Sequence, residues 1–133
     1  MKGIDHIALA VSDIDDALEM YRDVWGLEVA RREDVDVQGV REAMIPMGDS
    51  WLQLIAPSTS ESTVARHIER RGEGLHHVAF EVDDLAATLA DLKSRGVPLI
   101  DEAPQRGGGD VSIAFVHPKG ARGVLIELVQ RDG

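Results

Sequence analysis

Residues 4–11, IDHIALAV, form a short apolar run interrupted by Asp5 and His6. At Ser12-Asp13 the pattern changes, and apolar residues recur at Ile14, Ala17, Leu18 and Tyr21 until Gly26. The run reads as a strand, the acid as a helix N-cap, the three- and four-residue spacing as an amphipathic helix and the glycine as its stop. The pattern returns 71 positions later in LHHVAFEVDDLAATL, where His77 falls on His6, Ala79 on Ala8, Val82 on Val11, Asp84 on Asp13 and Leu89 on Leu18. Leu85, Leu89 and Leu92 outline the second helix, and Gly96 ends it. Three apolar stretches follow each helix. They are LEVARRE, GVREAMIPM and SWLQLIAP in the first copy, and VPLID, DVSIAFVHP and GVLIELVQ in the second, separated by glycine turns. Each half therefore predicts β-α-β-β-β, and the fold class is α+β. Between the halves, PSTSESTVARHIERRGEG carries Ser/Thr caps and apolar Val64, Ala65 and Ile68, which predicts one short helix. The expected organisation is a single domain: module one over about 1–57, a connecting helix over 58–73, and module two over 74–133.

The repeat also aligns polar residues. Laying WLQLIAP on LIELVQR sets Gln53 on Glu127, each surrounded by apolar neighbours. Burying an amide or carboxylate there is costly unless it is paired or binds a metal. A lone strand histidine is more often a packed residue than a ligand; the correspondence of two His and two Gln/Glu positions points to an ion. If the halves pack about a pseudo-two-fold axis, His6, Gln53, His77 and Glu127 converge. His76, next to His77 in a strand, faces the other way. Two imidazoles, an amide oxygen and a carboxylate without sulfur suit one divalent ion with open positions. Co²⁺, Mn²⁺, Ni²⁺ or Fe²⁺ in six-coordinate geometry fit such a set better than Zn²⁺, which stays possible. His67 has no repeat partner and reads as surface; His117, in FVHPKG, reads as turn chemistry or as a neighbour of the substrate.

Composition narrows the setting. The chain has 133 residues, 44% hydrophobic and 29% charged, as expected of a globular domain. No apolar run approaches the ~20 residues of a spanning helix, and no signal peptide is recognisable at the start. The absence of cysteine excludes disulfides and thiolate sites and suggests a cytoplasmic location. A formal net charge of −10 argues against nucleic acid or an anionic membrane as partner. Local groups such as Arg66/Arg70/Arg71, or Lys119 and Arg122, leave room for a small anionic ligand, and nothing in their spacing requires one.

The paired β-α-β-β-β units with His, Gln, His and Glu at these places resemble the vicinal oxygen chelate superfamily, whose members form a half-open mixed β-barrel around a divalent ion. Within it, QGVREAM, LQLIAP, GLHHVAFEV and FVHPKGARGVLIELVQ resemble the methylmalonyl-CoA epimerase family. The resemblance implies metal ligands at His6, Gln53, His77 and Glu127, and a catalytic base at Glu42, with Glu127 serving the opposite face. It further implies an acyl-CoA substrate, epimerised at C2 through a metal-stabilised enolate, and a homodimer. The alternatives are a glyoxalase I-type lactoylglutathione lyase and a non-catalytic small-molecule binding protein of the same fold.

Overall fold

The computed structural model describes residues 1–131, a mixed α+β chain of eight strands and three α-helices. No helix among the described residues is long and apolar enough to cross a membrane. Two compact units are present: one is Ile7–His76, the other joins Met1–His6 to the chain from His77 onward. The division falls inside two strands, β1 (Gly3–Ala10) and β5 (Gly74–Glu81).

In the Ile7–His76 unit, α1 (Ile14–Asp23) starts where the Asp13 carboxylate accepts the Asp16 N–H at 3.1 Å. Three antiparallel strands follow, β2 (Arg31–Val35), β3 (Val40–Met47) and β4 (Ser50–Pro57), with the end of β1 beside β4. Gly48, at φ +65°, takes the left-handed conformation that the two-residue turn between β3 and β4 requires. The register opposes Ala43 to Leu54 and Met44 to Gln53. One face of β3 and β4 thus presents Ala43, Ile45 and Leu54, which pack with Ile14, Ala17, Leu18 and Tyr21 of α1. The other face carries Glu42, Met44, Gln53 and Ile55. The connecting helix α2 (Thr63–Arg71) is capped by Ser62, as the Ser/Thr-rich sequence predicts, and buries Val64 against Val40 and Ile55.

In the other unit, α3 (Leu85–Ser94) is capped by Asp84. The strand order is β1, β5, β8 (Ile126–Gln130), β7 (Ser112–Val116) and β6 (Gln105–Arg106). β5 and β8 run parallel, β7 and β8 antiparallel. Leu85 and Leu89 of α3 pack on Ala114, Val116, Ile126 and Leu128. His77, Ala79, Phe115 and Glu127 occupy the opposite face, by the pairings Ala79↔Glu127 and Phe115↔Glu127. Leu89 is 1% exposed. Leu89→Ala is therefore expected to lower unfolding free energy by about 2–5 kcal/mol, measured as a shifted urea midpoint at constant m. A loss below about 1 kcal/mol would mean that α3 docks more loosely than its packing indicates.

Two expected strands differ from what is observed. Leu27–Ala30 is not part of β2, because Leu27 packs beneath α1 and its N–H is taken by the Tyr21 carbonyl at 3.0 Å. VPLID does not form a full strand. Only Leu99 bridges Val116, and the second copy's extra strand is the two-residue β6 further on. Pro98 has no N–H to give, and both the Ile100 and Asp101 N–H groups converge on the single Phe115 carbonyl. That geometry cannot propagate a ladder.

Candidate metal centre

His6 leaves β1 beside β5, and His77 and Glu127 project from the face of their sheet away from α3. All three are buried, at 4%, 3% and 5% exposure. His6 Nε2 lies 3.2 Å from His77 Nε2 and 3.1 Å from Glu127 Oε1, and His77 Nε2 lies 3.7 Å from Glu127 Oε2. One ligand atom from each residue falls within 4.8 Å of the others. Phe115, opposite Glu127 in the register, meets the His77 ring in a T-shaped contact with centroids 5.3 Å apart.

Behind His6 stands Asp5. Its Oδ2 accepts from His6 Nδ1 at 2.7 Å, and its carboxylate is held by Arg131 through Nε at 2.5 Å and Nη2 at 2.9 Å. Burial is the largest single influence on Asp5 and favours its neutral form. The Arg131 and His6 hydrogen bonds outweigh it and hold the carboxyl below the usual range. For His6, burial again opposes charge, but hydrogen bonds to Asp5 and Glu127 raise the imidazole to about 9. Two ring nitrogens and a carboxylate turned toward one buried point call for positive charge between them, whether a proton or a cation. The N, N, O donor set fits a borderline divalent ion, so the residues present can hold one.

Glu42 and Gln53 belong to the Ile7–His76 unit. Glu42 is 5% exposed, which excludes a solvent-facing strand acid. Gln53 Nε2 donates to Glu42 Oε2 at 2.7 Å, and Arg31 Nη1 lies 2.9 Å from Glu42 Oε1. Gln53 Oε1 is buried with no hydrogen-bond partner. Such an orphan costs about 1–3 kcal/mol, and an ion ligand role would account for it.

Other sequence candidates fall elsewhere. His76 meets the His67 ring edge-on with centroids 4.7 Å apart, and burial, followed by the nearby His67, pushes it down to about 4. The His117 side chain caps a short 3-10 turn by accepting the Lys119 N–H at 3.0 Å, the turn chemistry its sequence suggested. Sequence reading missed Asp5, Arg131 and the Arg31 contact to Glu42. The one local sign was an acid immediately preceding the histidine of the first strand.

The model of the glyoxalase/bleomycin resistance protein/dioxygenase superfamily matches residues 5–115. An uncharacterized Bacillus subtilis protein is 40% identical over 133 residues, covering 100% of this chain and 95% of its own. The mitochondrial methylmalonyl-CoA epimerase of Mus musculus is 32% identical, covering 96% of this chain and 72% of its own. The structure of a Streptomyces coelicolor methylmalonyl-CoA epimerase variant in complex with 2-nitronate-propionyl-CoA superposes with a TM-score of 0.93. It is 41% identical and covers 98% of this chain and 94% of that one. The chain belongs to the glyoxalase/bleomycin resistance protein/dioxygenase superfamily and is a homologue of the methylmalonyl-CoA epimerases within it.

Proposed function

We propose that this protein is a metal-dependent methylmalonyl-CoA epimerase, interconverting the (R) and (S) thioesters. The observation that carries the reading is the buried convergence of His6, His77 and Glu127 in a homologue of such epimerases. These three residues would hold the ion, with Gln53 as the fourth ligand expected from the sequence; its unpartnered Oε1 supports that role. Co²⁺ is the proposed occupant. A divalent ion at such donors supplies Lewis-acid stabilisation of the negative charge that develops when C2 is deprotonated.

The chain's own groups move the proton. Glu42 takes the C2 proton, and the C–H electron pair passes into the thioester carbonyl to give a planar enolate. Return of a proton to C2 from the opposite face inverts the centre. That proton is assigned to Glu127, which takes it from water while Glu42 gives its own back to water; return from Glu42 restores the starting epimer. Arg31 and Gln53 hold the Glu42 carboxylate through one oxygen each, at 2.9 and 2.7 Å, which fixes its orientation. The acyl-CoA substrate class is supported by the acyl-CoA analogue in the Streptomyces relative. A homodimer and a cytoplasmic location complete the proposal, resting on the resemblance and the lack of cysteine.

A single epimer of methylmalonyl-CoA in D₂O, with metal-loaded protein and with a chelated control, tests the reading. Metal-dependent loss of the C2 proton signal together with racemisation is the expected result. A loaded protein that leaves C2 unexchanged, yet converts a glutathione hemithioacetal, would replace it with the lyase alternative.

A further inference from the structure

The contact that the catalytic scheme leaves unused is the one behind His6. We propose that Asp5 and Arg131 are positioning residues that present His6 to the ion, an inference that rests on the metal reading above. A neutral imidazole binds a cation through one nitrogen and keeps its proton on the other, so whatever accepts that proton decides which nitrogen is free. Asp5 Oδ2, 2.7 Å from Nδ1, accepts there and leaves Nε2 turned toward His77 and Glu127.

A buried carboxylate can hold this position only if it is itself held. Asp5 is 5% exposed, and Arg131 grips both of its oxygens in a two-point contact across 126 positions of sequence. A bidentate guanidinium fixes the carboxylate plane as well as its charge. The aspartate and arginine cancel, so the ion sees only the single negative charge of Glu127 among its ligands. Arg131 follows directly on β8, the strand that carries Glu127. The end of that strand is anchored in turn, since the Gln130 side chain accepts the Leu85 N–H at the start of α3, at 2.7 Å. The strand that supplies one candidate ligand is therefore followed, four residues on from that ligand, by the brace for another.

The test is titration of metal-free full-length protein with Co²⁺, by calorimetry and by competition with a chelating dye. It compares wild type with Asp5→Ala, Asp5→Asn, Arg131→Met, Arg131→Lys and the Asp5→Ala/Arg131→Met double variant. Thermal melting in excess chelator establishes that each is folded. Asp5→Ala is expected to weaken Co²⁺ binding roughly 10–100-fold, the range typical of groups that orient a ligating histidine. Arg131→Met should weaken it less, and Arg131→Lys and Asp5→Asn should recover part of each loss. The double variant should match Asp5→Ala, because Arg131 acts through Asp5. Leu89→Ala, destabilised in a core away from the site, should bind Co²⁺ as wild type does, which separates positioning from general loosening. Folded Asp5→Ala and Arg131→Met proteins with wild-type affinity would overturn the positioning role alone. A wild type that takes up none of Co²⁺, Mn²⁺, Ni²⁺ or Zn²⁺ would overturn the metal reading and this inference with it.

Discussion

Glu42→Gln is expected to lower kcat for epimerisation by roughly 10²–10⁴-fold, the contribution of a positioned acid–base group. The substitution is conservative in structure. The introduced amide oxygen can still accept from Gln53 Nε2, and Arg31 keeps a 2.7 Å contact to Glu33. What is lost is the proton-accepting charge. Ion affinity and thermal stability should stay close to wild type, and deuterium exchange at C2 should slow together with racemisation. Exchange assays at saturating substrate, paired with metal titration, make the comparison. An active Glu42→Gln protein would remove Glu42 from the reaction and leave the proton to another group.

His77→Ala is expected to abolish detectable uptake of the ion and reduce turnover to the level of the chelated wild type. Loss of a donor itself should exceed the roughly 10–100-fold effect of removing a group that merely orients one. His76→Ala is the matched control. The two histidines are neighbours in sequence, but His77 faces Glu127 whereas His76 meets the His67 ring edge-on. Removal of His76 should leave Co²⁺ affinity and kcat unchanged. Equal losses in the two variants would point to a general disturbance of β5 rather than to a ligand.

Legibility in the sequence followed the range of the interactions. The helices were visible because Asp13, Ser62 and Asp84 cap within three residues of themselves and because apolar spacing reports a buried face directly. The repeat made His6, His77 and Glu127 visible as candidates, since corresponding strands in two copies carry comparable donors. Asp5 broke that correspondence: the residue 71 positions on is His76, so internal comparison gave it no counterpart. Its partner Arg131 is 126 residues away, and no local pattern encodes an ion pair of that span. VPLID was misread because its apolar residues are real core residues, with Val97 and Leu99 packed against the α3 cluster, while their backbone groups go elsewhere. Burial and strand pairing are separate requirements, and composition reports only the first.

The division of the chain has a temporal side. The Ile7–His76 unit is contiguous, so all of it is synthesised before His77 and the part of the other unit that follows it. His6 cannot join its unit then, because every partner it has there lies at His77 or beyond, apart from its neighbour Asp5. At about 5–20 residues per second, His6 is made roughly 6–24 s before Glu127. The leading segment must therefore stay available while the residues between are made, and the trio closes only once β8 is complete.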